Sequence, residues 1–155
     1  MTDLEAAVAE AGSILEELAL PYMLIGALAV SAWGEARATL DVDFAAETRV
    51  LPMLSCQGIR LDLLFAALPA ERDMIARAHT RQLGGRPIRI AAVEDLIWMK
   101  LISERPKDME DAMRLLRRFR GTLDRAYLEP KLRELSEAFA RQDILDIFRR
   151  EMERP

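Results

Sequence analysis

Asp41 and Asp43 flank a single valine, and Asp62 stands between Leu61 and Leu63. If both stretches are extended, successive side chains alternate in direction, so Asp41 and Asp43 share one face while Leu40, Val42 and Phe44 share the other. Two carboxylates a few ångströms apart repel, and burial sharpens the penalty. A divalent cation removes it. Hard Mg²⁺, or Mn²⁺ in its place, prefers oxygen donors and leaves its remaining positions to water and phosphate. Asp62 completes a cluster of three acids if the two strands are neighbours. Such a cluster suits in-line phosphoryl or nucleotidyl transfer, in which the metal neutralises a triphosphate and a carboxylate aligns or deprotonates the attacking hydroxyl. The same alternation is also the pattern of a half-solvated edge strand, so its meaning rests on context.

The elements that must position these acids follow from periodicity. Apolar residues at Leu4, Val8, Ala11, Leu15 and Leu18 predict an amphipathic helix over residues 3–18, with Asp3 as its N-cap. Pro21 ends it, and the run Tyr22-Met23-Leu24-Ile25 predicts a buried strand closed by a turn at Gly26. A short helix over residues 27–33 comes next, followed by acid-bearing strands over residues 40–44 and 59–65. The segment between those strands holds Pro52 and Gly58 and is too brief for a long crossover helix; an antiparallel neighbour or one helical turn is expected there. A helix over residues 71–78 and a hairpin turning at Gly84-Gly85 complete the first part, with Pro87 suited to an edge strand. From residue 93 the pattern is helical: 93–104, 106–119, 128–140 and 144–152.

The pieces Ile25-Gly26-Ala27, Asp41-Val42-Asp43-Phe44 and Leu61-Asp62-Leu63, in that order, resemble the signature of the nucleotidyltransferase (DNA polymerase β-like) superfamily. Gly26-Ala27-Leu28-Ala29 through Trp33-Gly34, Arg37, Thr39 and Asp41 is similar to bacterial AbiEii-type toxins and related nucleotidyltransferases. So is the downstream stretch Glu94-Asp95-Leu96-Ile97, Lys100, Arg105-Pro106-Lys107-Asp108 and Asp111. The resemblance spans residues 22–116 and departs from the pattern at Ala27, where Gly or Ser is usual. It implies an α+β chain: a small mixed or antiparallel nucleotidyltransferase-fold sheet flanked by helices over residues 1–92, then a C-terminal helical bundle over 93–155 packed on it as one compact unit. It implies catalytic, metal-binding Asp41, Asp43 and Asp62, Mg²⁺ as cofactor and a nucleoside triphosphate as substrate. Phosphate contact falls to Gly26 and, through the backbone, Ala27.

Arg37 can neutralise triphosphate, steady Asp41 or stand at the surface. Arg60, two positions before Asp62, reaches the same cleft or pairs with Asp62. Lys100 interrupts an apolar helix face, where it meets Asp108 or Asp111, snorkels, or, by the resemblance, lies near the nucleotide. Arg114, Arg117, Arg118 and Arg120 form a basic run that guides RNA or solvates a helix face.

The expected activity is transfer of a nucleoside monophosphate to a hydroxyl on protein or RNA, with the resemblance adding a toxin–antitoxin or phage-defence setting and a cognate partner. The competing expectation is an inactive binding or dimerising module, because residues 44–61 are a short insert that leaves a pocket open or requires a second copy to close it. Bulk composition bounds both. The chain has 155 residues, 51% hydrophobic, and 22 Lys+Arg against 26 Asp+Glu give a net charge of −4, so no global field gathers DNA or an anionic membrane. Cys56 and His79 are single, which leaves no disulfide framework and no Cys/His zinc site within one chain and points to a cytoplasmic setting. The acidic N-terminal residues and the lack of an apolar run of about 20 residues predict neither an export signal nor a membrane span.

Overall fold

The computed structural model describes residues 2–35, 38–47, 51–54, 58–66 and 69–153, so Arg37 and Cys56 lie outside the described residues. The chain forms two compact units, Met1–Ala92 and Val93–Pro155.

The first unit opens with α1 (Asp3–Glu17). Its cap is Thr2 rather than Asp3. Glu5 N–H donates to Thr2 Oγ1 at 3.2 Å, and Thr2 N–H donates to Glu5 Oε2 at 2.7 Å. This reciprocal capping box satisfies two backbone donors together, which an Asp3 cap would not. Then follow β1 (Tyr22–Ile25), α2 (Gly26–Ala32), β2 (Asp41–Ala46), β3 (Leu51–Leu54), β4 (Arg60–Phe65), α3 (Pro69–Arg77), β5 (His79–Leu83) and β6 (Arg86–Ile90). The strands make one mixed sheet in the order β3-β4-β2-β1-β6-β5.

The sheet's register sorts its side chains. Tyr22 opposes Ala46, Leu24 opposes Phe44, and Phe44 and Val42 oppose Leu63 and Leu61. Directly opposed residues share a face, so these apolar groups form one buried layer. Tyr22 and Phe44 meet edge-on within it, ring centroids 5.6 Å apart. Helix α1 covers this layer, close enough at Gly12 that any side chain there would strike Ile88 and Tyr22. Asp41, Asp43 and Asp62 fall on the opposite face.

The β5–β6 hairpin turns at Gly84-Gly85 with φ of +58° and +75°, the left-handed pair that matches strand twist. Pro87 does not lie on an edge strand: β5 is the edge and β6 is internal. Among the described residues the ladder to β1 reaches β6 only at Ile90, so Pro87 stands where one flank of β6 has no strand partner and its missing N–H interrupts no such ladder.

The second unit holds α4 (Val93–Ile102), α5 (Pro106–Phe119), α6 (Arg125–Ala138) and α7 (Gln142–Glu153). Helix α6 begins earlier than its apolar period suggests, because Asp124 caps it by accepting from Tyr127 N–H at 3.0 Å. Phe148 is buried in the core of this unit, whereas Phe139, an aromatic that sequence alone reads as core, ends α6 and is 62% exposed. Among the described residues, no helix is long and apolar enough to cross a membrane.

Candidate active site

Strands β2 and β4 run parallel with Asp43 opposite Asp62 and Asp41 opposite Arg60. The short insert explains this geometry. Its described part, β3, is the antiparallel neighbour expected there, and it does not lie between the two. β3 pairs antiparallel on the far side of β4, and β4 returns into the position beside β2. Adjacent strands lie about 4.8 Å apart, so acids directly opposed on one face must crowd. One carboxylate oxygen from each of Asp41, Asp43 and Asp62 lies within 4.8 Å of the other two, and all three residues are half-buried.

Each acid is held differently. Thr39 Oγ1 donates to Asp41 Oδ1 at 2.6 Å, which fixes that carboxylate at the first residue of β2. Thr39 entered the sequence pattern only through the resemblance; its hydroxyl also lies 3.3 Å from the Asp41 carbonyl, a local contact of the kind such residues make two positions along. Leu40, between them, is not an inward strand residue. It precedes β2 and is 89% exposed, because the chain bends at Leu40 before the ladder starts.

Asp43 packs against Gly26, the first residue of α2. Gly26 has φ of +70°, and a Cβ there would run into the Asp43 carboxylate, only 3.0 Å from its Cγ. Glycine is demanded twice, by the backbone and by the acid beside it. The start of α2 also presents backbone N–H groups and the positive end of a helix dipole, a favourable place for negative charge. Ala27 is half-buried in the first turn of this helix.

Asp62 is paired. Arg60 Nε donates to its Oδ1 at 3.0 Å, and a second guanidinium nitrogen lies 2.9 Å from Oδ2. The hydrogen bond to Asp62 and the charges of Asp62, Asp41 and Asp43 hold the Arg60 guanidinium pKa above its ordinary value. The Arg60 side chain is 68% exposed, so this pair sits at the solvent edge of the cluster. Leu64 lies on the same side of β4 as Asp62 and is exposed, giving the acids an apolar neighbour that strand alternation alone does not reveal as uncovered.

Lys100 lies in the second unit. Its ammonium pairs with Asp108 and is 3.4 Å from Asp111, and Asp108 also accepts from Ser103 Oγ at 2.7 Å. Both expected acids therefore meet it. Of the basic run, Arg117 donates to the fully buried Glu151 at 2.7 Å and Arg114 pairs with Glu110 one turn away, so these two arginines are engaged within the chain.

No known protein family matches the sequence, and no curated protein matches it. Solved structures do. Over 95% of this chain and 92% of the other, the fold is similar to an antigenic nucleotidyltransferase-like protein from Paracoccidioides brasiliensis, at 14% identity and a TM-score of 0.57. It is also similar to the antibiotic-resistance factor ANT(2'')-Ia, at 18% identity and a TM-score of 0.52, over 92% of this chain and 94% of that one. A mixed sheet flanked by helices, an acidic triad on two adjacent strands and these two likenesses together give the chain a nucleotidyltransferase fold.

Proposed function

We propose that the protein is a metal-dependent nucleotidyltransferase, moving a nucleoside monophosphate from a triphosphate to a hydroxyl on protein or RNA with release of pyrophosphate. The observation that carries this reading is the meeting of three carboxylates within 4.8 Å, beside a glycine that tolerates no side chain. A donor set made wholly of carboxylate oxygens suits Mg²⁺ or Mn²⁺. Three carboxylates gathered this closely accommodate a dication. Bound there, the cation would supply charge neutralisation for the triphosphate.

The chain's own residues divide the remaining work. Asp41, steadied by Thr39, and Asp43, braced against Gly26, would hold the metal. Asp62 would accept a proton from the acceptor hydroxyl. Gly26, with the Ala27 N–H, would admit phosphate oxygens against the backbone. The exposed Arg60 guanidinium would turn from Asp62 to the phosphates, and Arg37 and Lys100 are carried as nucleotide contacts on the resemblance alone. A cytoplasmic setting and a cognate partner in a toxin–antitoxin or phage-defence pair go with the same resemblance.

The Arg60–Asp62 ion pair favours a second reading, a binding or dimerising module in which that arginine is a permanent counter-ion. One experiment separates the two. The protein is incubated with each α-labelled triphosphate, Mg²⁺ and cell extract, beside an Asp41→Ala/Asp43→Ala variant. Transfer of label to protein or RNA is expected with at least one triphosphate, falling by about 10³-fold in the variant, the scale of several kcal/mol of transition-state stabilisation. Label that persists in the variant, or never transfers, leaves the binding module.

A further inference from the structure

A cavity of about 460 Å³ opens at the other end of the strands that carry the acids, lined by Pro21, which precedes β1, and Glu47, which follows β2. At about 3.3 Å per residue, Glu47 lies about 13 Å along the strand from Asp43. Leu20, Pro21 and Ile75 give the cavity an apolar wall, and Arg72 and Arg89 line it with Glu47.

Arg89 is what the fold leaves unexplained, while Arg72 and Glu47 are exposed. Arg89 is half-buried, and one terminal nitrogen donates to the Ile75 carbonyl at 2.7 Å, which fixes the guanidinium. Its Nε is buried and has no hydrogen-bond partner among the described residues. Among the described residues, neither Arg72 nor Arg89 forms an ion pair there. A guanidinium held this way beside an open cavity favours an anion against its remaining nitrogens. Glu47 adds a carboxylate that would repel a bare anion and reward one that also brings hydroxyl donors. The volume falls in the usual range for small-molecule sites.

We propose that this cavity binds a phosphomonoester bearing hydroxyl groups, of nucleoside monophosphate size, with Arg89 and Arg72 on the phosphate, Glu47 on the hydroxyls and the apolar wall against the base or sugar. Binding here is independent of the acid cluster, so it holds or fails apart from the transfer chemistry.

Isothermal titration of the full chain with AMP, adenosine and inorganic phosphate tests it. Saturable AMP binding is expected to survive Asp41→Asn/Asp43→Asn, to weaken at least tenfold in Arg89→Met and severalfold in Arg72→Gln, and to exceed that of phosphate and adenosine. Circular dichroism melts report whether Arg89→Met stays folded; if it does not, Arg72→Gln and Glu47→Gln carry the test, each expected to weaken AMP severalfold. Absence of saturable AMP binding, affinity equal to that of phosphate, or binding lost with the two aspartates and kept in the arginine variants would each overturn it.

Discussion

The two units hold their carboxylates in opposite ways. In the helical unit each buried acid meets a donor brought by another element or turn: Asp95 accepts from Tyr127 Oη at 2.6 Å, Glu94 from the Asp124 N–H at 2.9 Å, Glu151 from Arg117, and Asp108 and Asp111 share Lys100. In the sheet unit Asp41, Asp43 and Asp62 also gather within 4.8 Å of one another, with Thr39 donating to Asp41 and Arg60 paired with Asp62. Buried acids matched to donors hold a fold together. Acids gathered against each other burden it, and they make sense when a cation is part of the working state.

The largest effect is expected at Lys100. Replacing it by Met leaves Asp108 and Asp111 without their shared cation, and a loss of about 3–5 kcal/mol is expected, the usual cost of removing one partner from a buried pair. Urea unfolding measures it, and a loss below 1 kcal/mol would deny the pair its structural part. Triphosphate affinity in a folded Lys100→Arg variant then tells whether this residue touches nucleotide at all.

On the acid cluster the sign should reverse. Without metal, Asp41→Asn/Asp43→Asn is expected to melt no lower than the parent, because it removes repulsion. Mg²⁺ at a hundred times its Kd should stabilise the parent by about 2.7 kcal/mol and leave the variant unmoved. Equal Mg²⁺ shifts in both proteins would place the ion elsewhere.

Gly26→Ala joins the two kinds of role. A side chain at φ of +70° costs about 1–2 kcal/mol and collides with Asp43, so stability and triphosphate binding should fall together. A variant that loses only stability would mark Gly26 as a turn and nothing more.

The smallest effect concerns Tyr22. Burial, the largest cause, pushes its phenol up to about 12, with the Glu16 carboxylate adding to the rise. The folded state thus resists ionisation more than the unfolded chain does. That contribution is complete below about pH 10 and is lost as pH climbs through about 12. Tyr22→Phe should flatten the alkaline part of the stability curve, by an amount that denaturation at pH 9 and pH 11.5 compares directly, while absorbance at 295 nm follows the phenolate.

Strand alternation alone put Asp41 and Asp43 on one side of a strand, and the turn glycines at 84 and 85 announced their hairpin, because these features depend on neighbours in the chain. Helix ends were less legible: Thr2 and Asp124 start α1 and α6 through side-chain hydrogen bonds that apolar periodicity does not register. The cavity between Arg72 and Arg89 left no trace in spacing, since its walls come from four separate stretches.

By itself, then, the sequence determined that three acids lie on extended segments with apolar neighbours, and that a glycine precedes a short helix near them. Only the tertiary structure decided that Asp62 faces Asp43. That choice belongs to β3, which takes the outer edge and sends β4 back parallel to β2; strand order and direction are set by pairing across the sheet, and local side-chain pattern carries no record of it.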